Sequence, residues 1–292
     1  LVPFLLHSVW YTNLVYCSTM KFATAAAVTL LALSTVDALN VKKLFRFGKT
    51  SLPKDSAPKP AAKGGYDLDV SELFDGNNKF IADKLAGDPA YFDTLGTVHS
   101  PKYLYIGCVD ARAPPNMIMG TEAGTMLTVR NIANMVVNND LAVMSAIQFG
   151  INVLKIPNVI LCGHYECGGV RASVANVDHA PPLSIWLRNI RDVYRLHAKE
   201  LDAIKDPEER HRRLVDLNVI EQCVNLFKTG VIQAKRIESY KDGGVAIPQV
   251  HPVVFDPKTG EVKKLKVDFD KYMAEINGIY DLYDLENAKV PM

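Results

Sequence analysis

The sequence predicts an α/β domain built on a mainly parallel central sheet with helices over both faces. Two observations carry this expectation. Short apolar runs of strand length, Tyr103–Gly107, Met126–Val129 and Val159–Gly163, alternate with longer segments of helical periodicity. Residues able to do chemistry stand directly after those runs, at the strand ends where open parallel sheets place their sites.

Taken in order, residues 1–19 precede the first methionine, Met20, and read as upstream read-through or a cloning scar, outside fold reasoning. Residues 20–38 read as a targeting presequence: Lys21, an apolar Ala/Leu-rich stretch from Phe22 to Thr35, then small residues suited to cleavage. The stretch is shorter than the ~20 apolar residues a membrane span needs. It implies entry to the secretory route or to an organelle such as a plastid. Residues 39–65 are rich in Lys, Pro and Ala and read as a disordered linker or the second half of a transit peptide.

The folded domain is expected over residues 66–275, with a C-terminal tail at 276–292. It should open with two helices forming an arm, the second signalled by Asp88-Pro89. After the first two strands, a helix over Asp140–Leu154 presents Leu141, Met144, Ile147 and Ile151 on one face. After the third strand, Gly168-Gly169 opens a helix through Val177, broken at Pro181-Pro182. Residues 183–240 read as helical throughout, with Glu209–Arg213 as a solvated basic face. Val245–Val254 reads as a strand that Pro248 and Pro252 push to the sheet edge.

The 292 residues suffice for one large domain, and 48% hydrophobic content fills a core without disulfides. A net charge of +1 argues against a nucleic-acid binder, which needs a basic surplus. Five cysteines, an odd and small number, make no disulfide framework.

Some of those cysteines stand in a ligand pattern. The first strand runs into Cys108-Val109-Asp110-Ala111-Arg112, and the third into His164-Tyr165-Glu166-Cys167-Gly168-Gly169. Cys108, His164 and Cys167 offer two thiolates and one imidazole, a donor set that suits tetrahedral zinc and leaves a fourth position open. Zinc in an open site lowers the pKa of bound water from about 15.7 to about 7, giving a hydroxide nucleophile at neutral pH. Asp110 and Arg112 alternate with Cys108, so a pair forming there would keep the Asp ionised and aimed at that position. Cys162 lies within the apolar strand and reads as a core thiol. His197, His211 and His251 do not read as ligands.

These motifs, with Val129-Arg130-Asn131-Ile132-Ala133-Asn134, resemble those of the β-class carbonic anhydrases over about residues 66–270. Two later stretches, Ile185-Trp186 to Arg191-Asp192 and Leu217-Asn218 to Glu221-Gln222, resemble the bacterial branch of that family. The resemblance implies reversible hydration of CO2 to bicarbonate and a proton, with one Zn2+ per subunit on Cys108, His164 and Cys167. It implies Asp110 and Arg112 as catalytic dyad and the Gly168 backbone N–H near the substrate. It also implies four parallel strands plus an edge strand, and an obligate dimer, able to pair into a tetramer, whose N-terminal helices embrace the partner. No nucleic acid and no stable membrane insertion after presequence removal are expected. Leu127, Ile132 and Phe149 would line an apolar pocket.

Departures from the family pattern are local. Ala111 replaces the usual Ser, as in related hydrolases acting on COS or CS2. His99 stands where a Gln commonly donates to substrate. Of a second bicarbonate pocket known in some members, Arg130 is kept, while Tyr105 and Phe149 replace the other two residues, which puts that regulation in doubt. A bicarbonate sensor with its zinc closed by Asp110 is a further alternative.

Overall fold

A computed structural model describes residues 69–280, together with 285 and 287. The expectations for residues 1–65 and for most of the tail lie outside them.

Two helices open the described chain, α1 (Ser71–Gly87) and α2 (Tyr91–Thr97). The first buries none of its residues, and Leu73, Phe74, Phe80, Ile81 and Leu85 are all exposed. The strands follow as β1 (Tyr103–Cys108), β2 (Met126–Asn131) and β3 (Asn158–His164), with the one-turn helix α3 (Pro115–Ile118) between the first two. The helix α4 (Leu141–Gln148) starts where Asp140 accepts the backbone N–H groups of Ala142 and Val143, and it ends in a π-helical turn at Phe149–Val153.

After β3 come α5 (Gly168–Val174), α6 (Leu183–Leu196), α7 (Ala198–Ala203), α8 (Pro207–Phe227) and α9 (Gly230–Gly243). The stretch 183–240 is therefore divided among four helices, one of them starting at Pro207. Asp206 caps α8 through the N–H groups of Glu208 and Glu209, with Pro207 at its first position, so a new helix must begin there. The chain closes with β4 (Gln249–Phe255), β5 (Val262–Lys264) and α10 (Phe269–Ile276).

The sheet order is β2-β1-β3-β4-β5, parallel except for β5. This corrects the edge position expected for β4, which lies between β3 and β5. Pro252 is tolerated there because the antiparallel ladder to β5 spans only Val253–Phe255. Just beyond it the Pro252 carbonyl accepts the Leu265 N–H at 2.9 Å, and no proline N–H is required.

Side chains alternate across the sheet. Leu104, Ile106, Val159 and Leu161 face the main core, packed with Leu187, Ile190 and much of α8. Tyr105, Cys162, Val253 and Phe255 face a smaller core, closed by Ala113, Ile118 and Met119 from the segment after β1. Burial on both faces is why the strands read as continuous apolar runs. Cys162 belongs to this second face, and burial pushes its thiol up to about 11.

The helix α8 carries the largest share of buried residues, twelve in all, on more than one side. It touches β3, β4, α6, α5 and α7. At the end of β3 the contact is close: a Cβ on Gly163 would meet Val219 Cγ2 at 2.5 Å, so only glycine lets the helix rest there. The basic run Glu209–Arg213 is not the solvated face its composition suggests, because His211 in its midst is 6% exposed. A helix wedged between layers buries positions that a single outward stripe would leave in water.

Candidate metal centre

β1 and β3 are parallel neighbours with Gly107 opposite Cys162, so their carboxyl ends reach the same rim. Cys108 is the last residue of β1 and His164 the last of β3, while Cys167 stands just before α5. Their ligand atoms, two Sγ and an imidazole nitrogen, lie within 4.8 Å of one another, and all three residues are buried. Sequence separations of 56 and 59 residues are thus closed by strand pairing.

The His164 ring is oriented from behind. Its Nδ1 bonds the Tyr165 carbonyl at 2.9 Å, which puts the proton on Nδ1 and leaves the Nε2 lone pair for the cluster. That Nε2 has no hydrogen-bond partner among the described residues, although it is buried. A buried acceptor left unpaired is costly unless something coordinates it. Of the two cysteine sulfurs beside it, Cys108 is drawn down by its neighbour Cys167, and Cys167 is held up by Cys108. Burial disfavours the charged His164 ring, yet the nearby Cys108 sulfur raises its pKa overall. Donor type, spacing and the orphaned nitrogen together fit a tetrahedral zinc ion.

Asp110 stands beside the cluster. Its Oδ2 is 3.7 Å from His164 Nε2, and both carboxylate oxygens bond Arg112, Oδ1 to Nε at 2.9 Å and Oδ2 to Nη2 at 2.7 Å. The Arg112 guanidinium holds the Asp110 carboxyl down to about 2 against a smaller opposing effect of burial. Arg112 is itself anchored on the Glu166 carbonyl at 3.0 Å. Glu166 has φ +57°, a left-handed conformation, and its carboxylate is clamped by Arg171 and Lys258.

Arg130 takes a role that its sequence position did not disclose. Its Nε donates to the Cys108 carbonyl at 2.8 Å and its Nη2 to the Asp110 carbonyl at 2.7 Å, with Ala113 further off at 3.4 Å. It staples the loop that carries one metal ligand and the carboxylate. Tyr105 lies in the smaller core and Phe149 in the π-helical turn, stacked on His99 with centroids 6.4 Å apart. The Arg130 charge acts on the Tyr105 ring from the neighbouring strand.

The segment after β2 is also strained and also secured. Ala133 and Asn134 have φ of 62° and 50°. Asn131 brackets Met135, Asn218 donates to the Ala133 carbonyl at 3.0 Å, and Gln222 accepts from the Val136 N–H at 2.8 Å. In that conformation the Ala133 N–H reaches the Cys108 sulfur at 3.4 Å. Strain of this kind persists where surrounding bonds over-determine it. Ile132 lies against Gly169, where a Cβ would come within 2.6 Å of its Cγ2. Gly168 follows the ligand Cys167 directly, at the start of α5. Leu127 pairs with Leu104, four residues before Cys108 and about 13 Å along the strand.

A sequence profile of the carbonic anhydrase family matches residues 103–262, which include every strand but the end of β5 and all three ligands. A carbonic anhydrase of Emericella nidulans is 48% identical over 211 residues, 72% of this chain and 90% of that protein. The chain belongs to the β-class carbonic anhydrase family. Solved members share its fold. One of two tetrameric β-carbonic anhydrases of Sordaria macrospora superposes with a TM-score of 0.62 at 32% identity, over 68% of this chain and 96% of that one. The Coccomyxa β-carbonic anhydrase, solved in complex with acetazolamide, gives 0.65 at 29% identity, over 76% and 100%.

Proposed function

We propose that this enzyme catalyses the reversible hydration of CO2 to bicarbonate and a proton, with one zinc ion held by Cys108, His164 and Cys167 in each subunit. The observation that carries the reading is the buried three-donor cluster with its unpartnered His164 Nε2. Zinc bound there supplies a Lewis acid that ionises water near neutral pH.

The chain's own groups do the rest. Asp110, kept ionised by Arg112, accepts a hydrogen bond from the reacting water and orients it. The Ala133 N–H tempers the charge on the Cys108 sulfur. Ile132 supplies an apolar wall, and the Gly168 N–H lies on the same rim as a donor toward an oxygen of the substrate. His99 and Phe149 form an exposed stacked pair, and their share in holding substrate depends on subunit assembly.

Assembly is part of the proposal. An arm helix that exposes Phe74, Phe80 and Leu85 and buries nothing suits burial in a second copy, giving a dimer able to pair into a tetramer. Residues 20–65 direct the chain into the secretory route or an organelle; fused to a fluorescent protein, they should relocate it from the cytosol. No helix of the described residues is long and apolar enough to cross a membrane.

The test is stopped-flow hydration with zinc content measured on the same preparation. Cys108→Ser and His164→Ala should lose both zinc and activity, while Asp110→Asn should keep zinc and lose most of kcat. Hydration that survives both ligand changes would overturn the reading. Faster turnover of COS than of CO2 would move the chain to the related hydrolases.

A further inference from the structure

A cavity of about 520 Å3 opens between α5, α6 and α8, and none of the metal ligands lines it. Its walls carry Arg171 from α5, Arg191 and Tyr194 from α6, and Arg210 and His211 from α8, with Val174 and Leu214 as apolar surface.

His211 is the anomaly. It is 6% exposed, and neither ring nitrogen has a hydrogen-bond partner among the described residues. A buried imidazole with both nitrogens unpaired is unusual for a stable interior. Burial, helped by the nearby Arg171, holds its pKa down to about 4, so at neutral pH it carries one N–H donor and no charge.

The arginines are unequally committed. Arg171 is bound to Glu208 and Glu166. Arg191 spends only its Nε, on the Ser173 carbonyl at 2.8 Å, and Arg210 spends Nε and Nη2 on the Ile204 carbonyl. The Arg191 Nη1 and Nη2 make no hydrogen bond among the described residues, while the Arg210 guanidinium also lies against the Tyr194 hydroxyl. The neighbouring acids are engaged elsewhere: Glu208 and Glu166 on Arg171, and Asp202 on the Tyr194 hydroxyl at 2.5 Å. A guanidinium with both terminal nitrogens free at Arg191, a second positive charge at Arg210 and a buried neutral donor line one space, and an oxyanion group answers that chemistry. The volume falls within the ~300–1,000 Å3 of small-molecule pockets, and bicarbonate would leave most of it empty.

We propose that this cavity binds a small organic anion, its phosphate or carboxylate head held by Arg191 and Arg210 and hydrogen-bonded by His211, its apolar body against Val174 and Leu214. The site is distinct from the metal centre, although α5 begins directly after Cys167 and so borders both.

The experiment is calorimetric titration of the zinc-loaded full chain with phenyl phosphate, benzoate, inorganic phosphate and benzyl alcohol. Phenyl phosphate or benzoate should bind saturably, the tighter of the two identifying the head group. Inorganic phosphate should bind about tenfold more weakly than phenyl phosphate, and benzyl alcohol not at all. Arg191→Gln and His211→Leu should each weaken binding about tenfold or more, with Arg191→Gln keeping wild-type CO2 hydration and circular dichroism. If Arg191→Gln fails to fold, Arg191→Lys, which keeps the charge and loses the fork, should show the same loss in smaller measure. Absence of binding to the wild type, binding unchanged in the Arg191 variants, or equal affinity for phenyl phosphate and benzyl alcohol would each overturn the proposal. The titrations read binding alone, so their outcome is independent of whether the metal centre hydrates CO2.

Discussion

Replacing Arg130 by Leu should separate a loop staple from an effector site. In the folded chain its guanidinium spans the carbonyls of Cys108 and Asp110 at 2.8 and 2.7 Å. Hydrogen bonds with a charged partner are worth about 1.5–3 kcal/mol each, and part returns because water reaches these half-buried carbonyls. A net loss of about 2–3 kcal/mol follows, which for a domain of this size lowers Tm by roughly 5–10 °C. The chemical consequence is larger, since the same loop carries Cys108 and Asp110. A displacement near 1 Å at reacting groups costs about 100-fold in rate. Differential scanning fluorimetry and stopped-flow hydration, with and without added bicarbonate, read both effects. Arg130→Lys should recover little, because an ammonium cannot bridge two carbonyls in the way the planar fork does. Wild-type Tm and basal kcat/KM in Arg130→Leu, combined with a lost response to bicarbonate, would refute the staple and restore the regulatory role.

Gly163→Ala forces a Cβ to 2.5 Å from Val219 Cγ2 and should destabilise by about 1–3 kcal/mol. Combining it with Val219→Ala should restore at least about 1 kcal/mol relative to the sum of the two single changes, and strict additivity in urea unfolding would contradict the packing. The His211 pKa is lowered to about 4 from the ordinary 6.5, so the unfolded chain binds the extra proton first as pH falls. Stability from this group is therefore intact above pH 6.5 and lost progressively down to about pH 4. His211→Leu should flatten that part of the difference between unfolding curves at pH 7 and pH 5, and an unchanged pH slope would contradict the buried neutral ring. Phe74→Asp with Phe80→Asp on α1 should shift the assembly toward monomer in light scattering while Tm of the monomeric core falls little; an unchanged mass would show that this arm is not the interface.

The metal ligands were legible because ligand chemistry resides in the residue type. A thiol and an imidazole at the ends of apolar runs, in Cys108 and His164-x-x-Cys167, name their donors without any fold. The strands β1 and β3 were legible for a similar reason: burial on both faces leaves an apolar run that local composition records. Helix starts at Leu141 and Pro207 follow from Asp140 and Asp206, whose side chains need only the next three residues.

Tertiary structure decided what depends on distant partners. The left-handed turn at Ala133-Asn134 is held by Asn218 and Gln222, more than 80 residues away, and no local pattern announces that bond. Arg130 reads as a site residue and serves as a staple because β2 runs beside β1 and points it at the loop. His211 reads as part of a solvated basic run and is buried because α8 packs against several neighbours at once. His99 and Phe149, fifty residues apart, meet each other in a stack that no local pattern announces. Donor identity and strand-length hydrophobicity are encoded within a few residues; the direction a side chain faces is set by which elements pack against it, and that is fixed only when the whole chain folds.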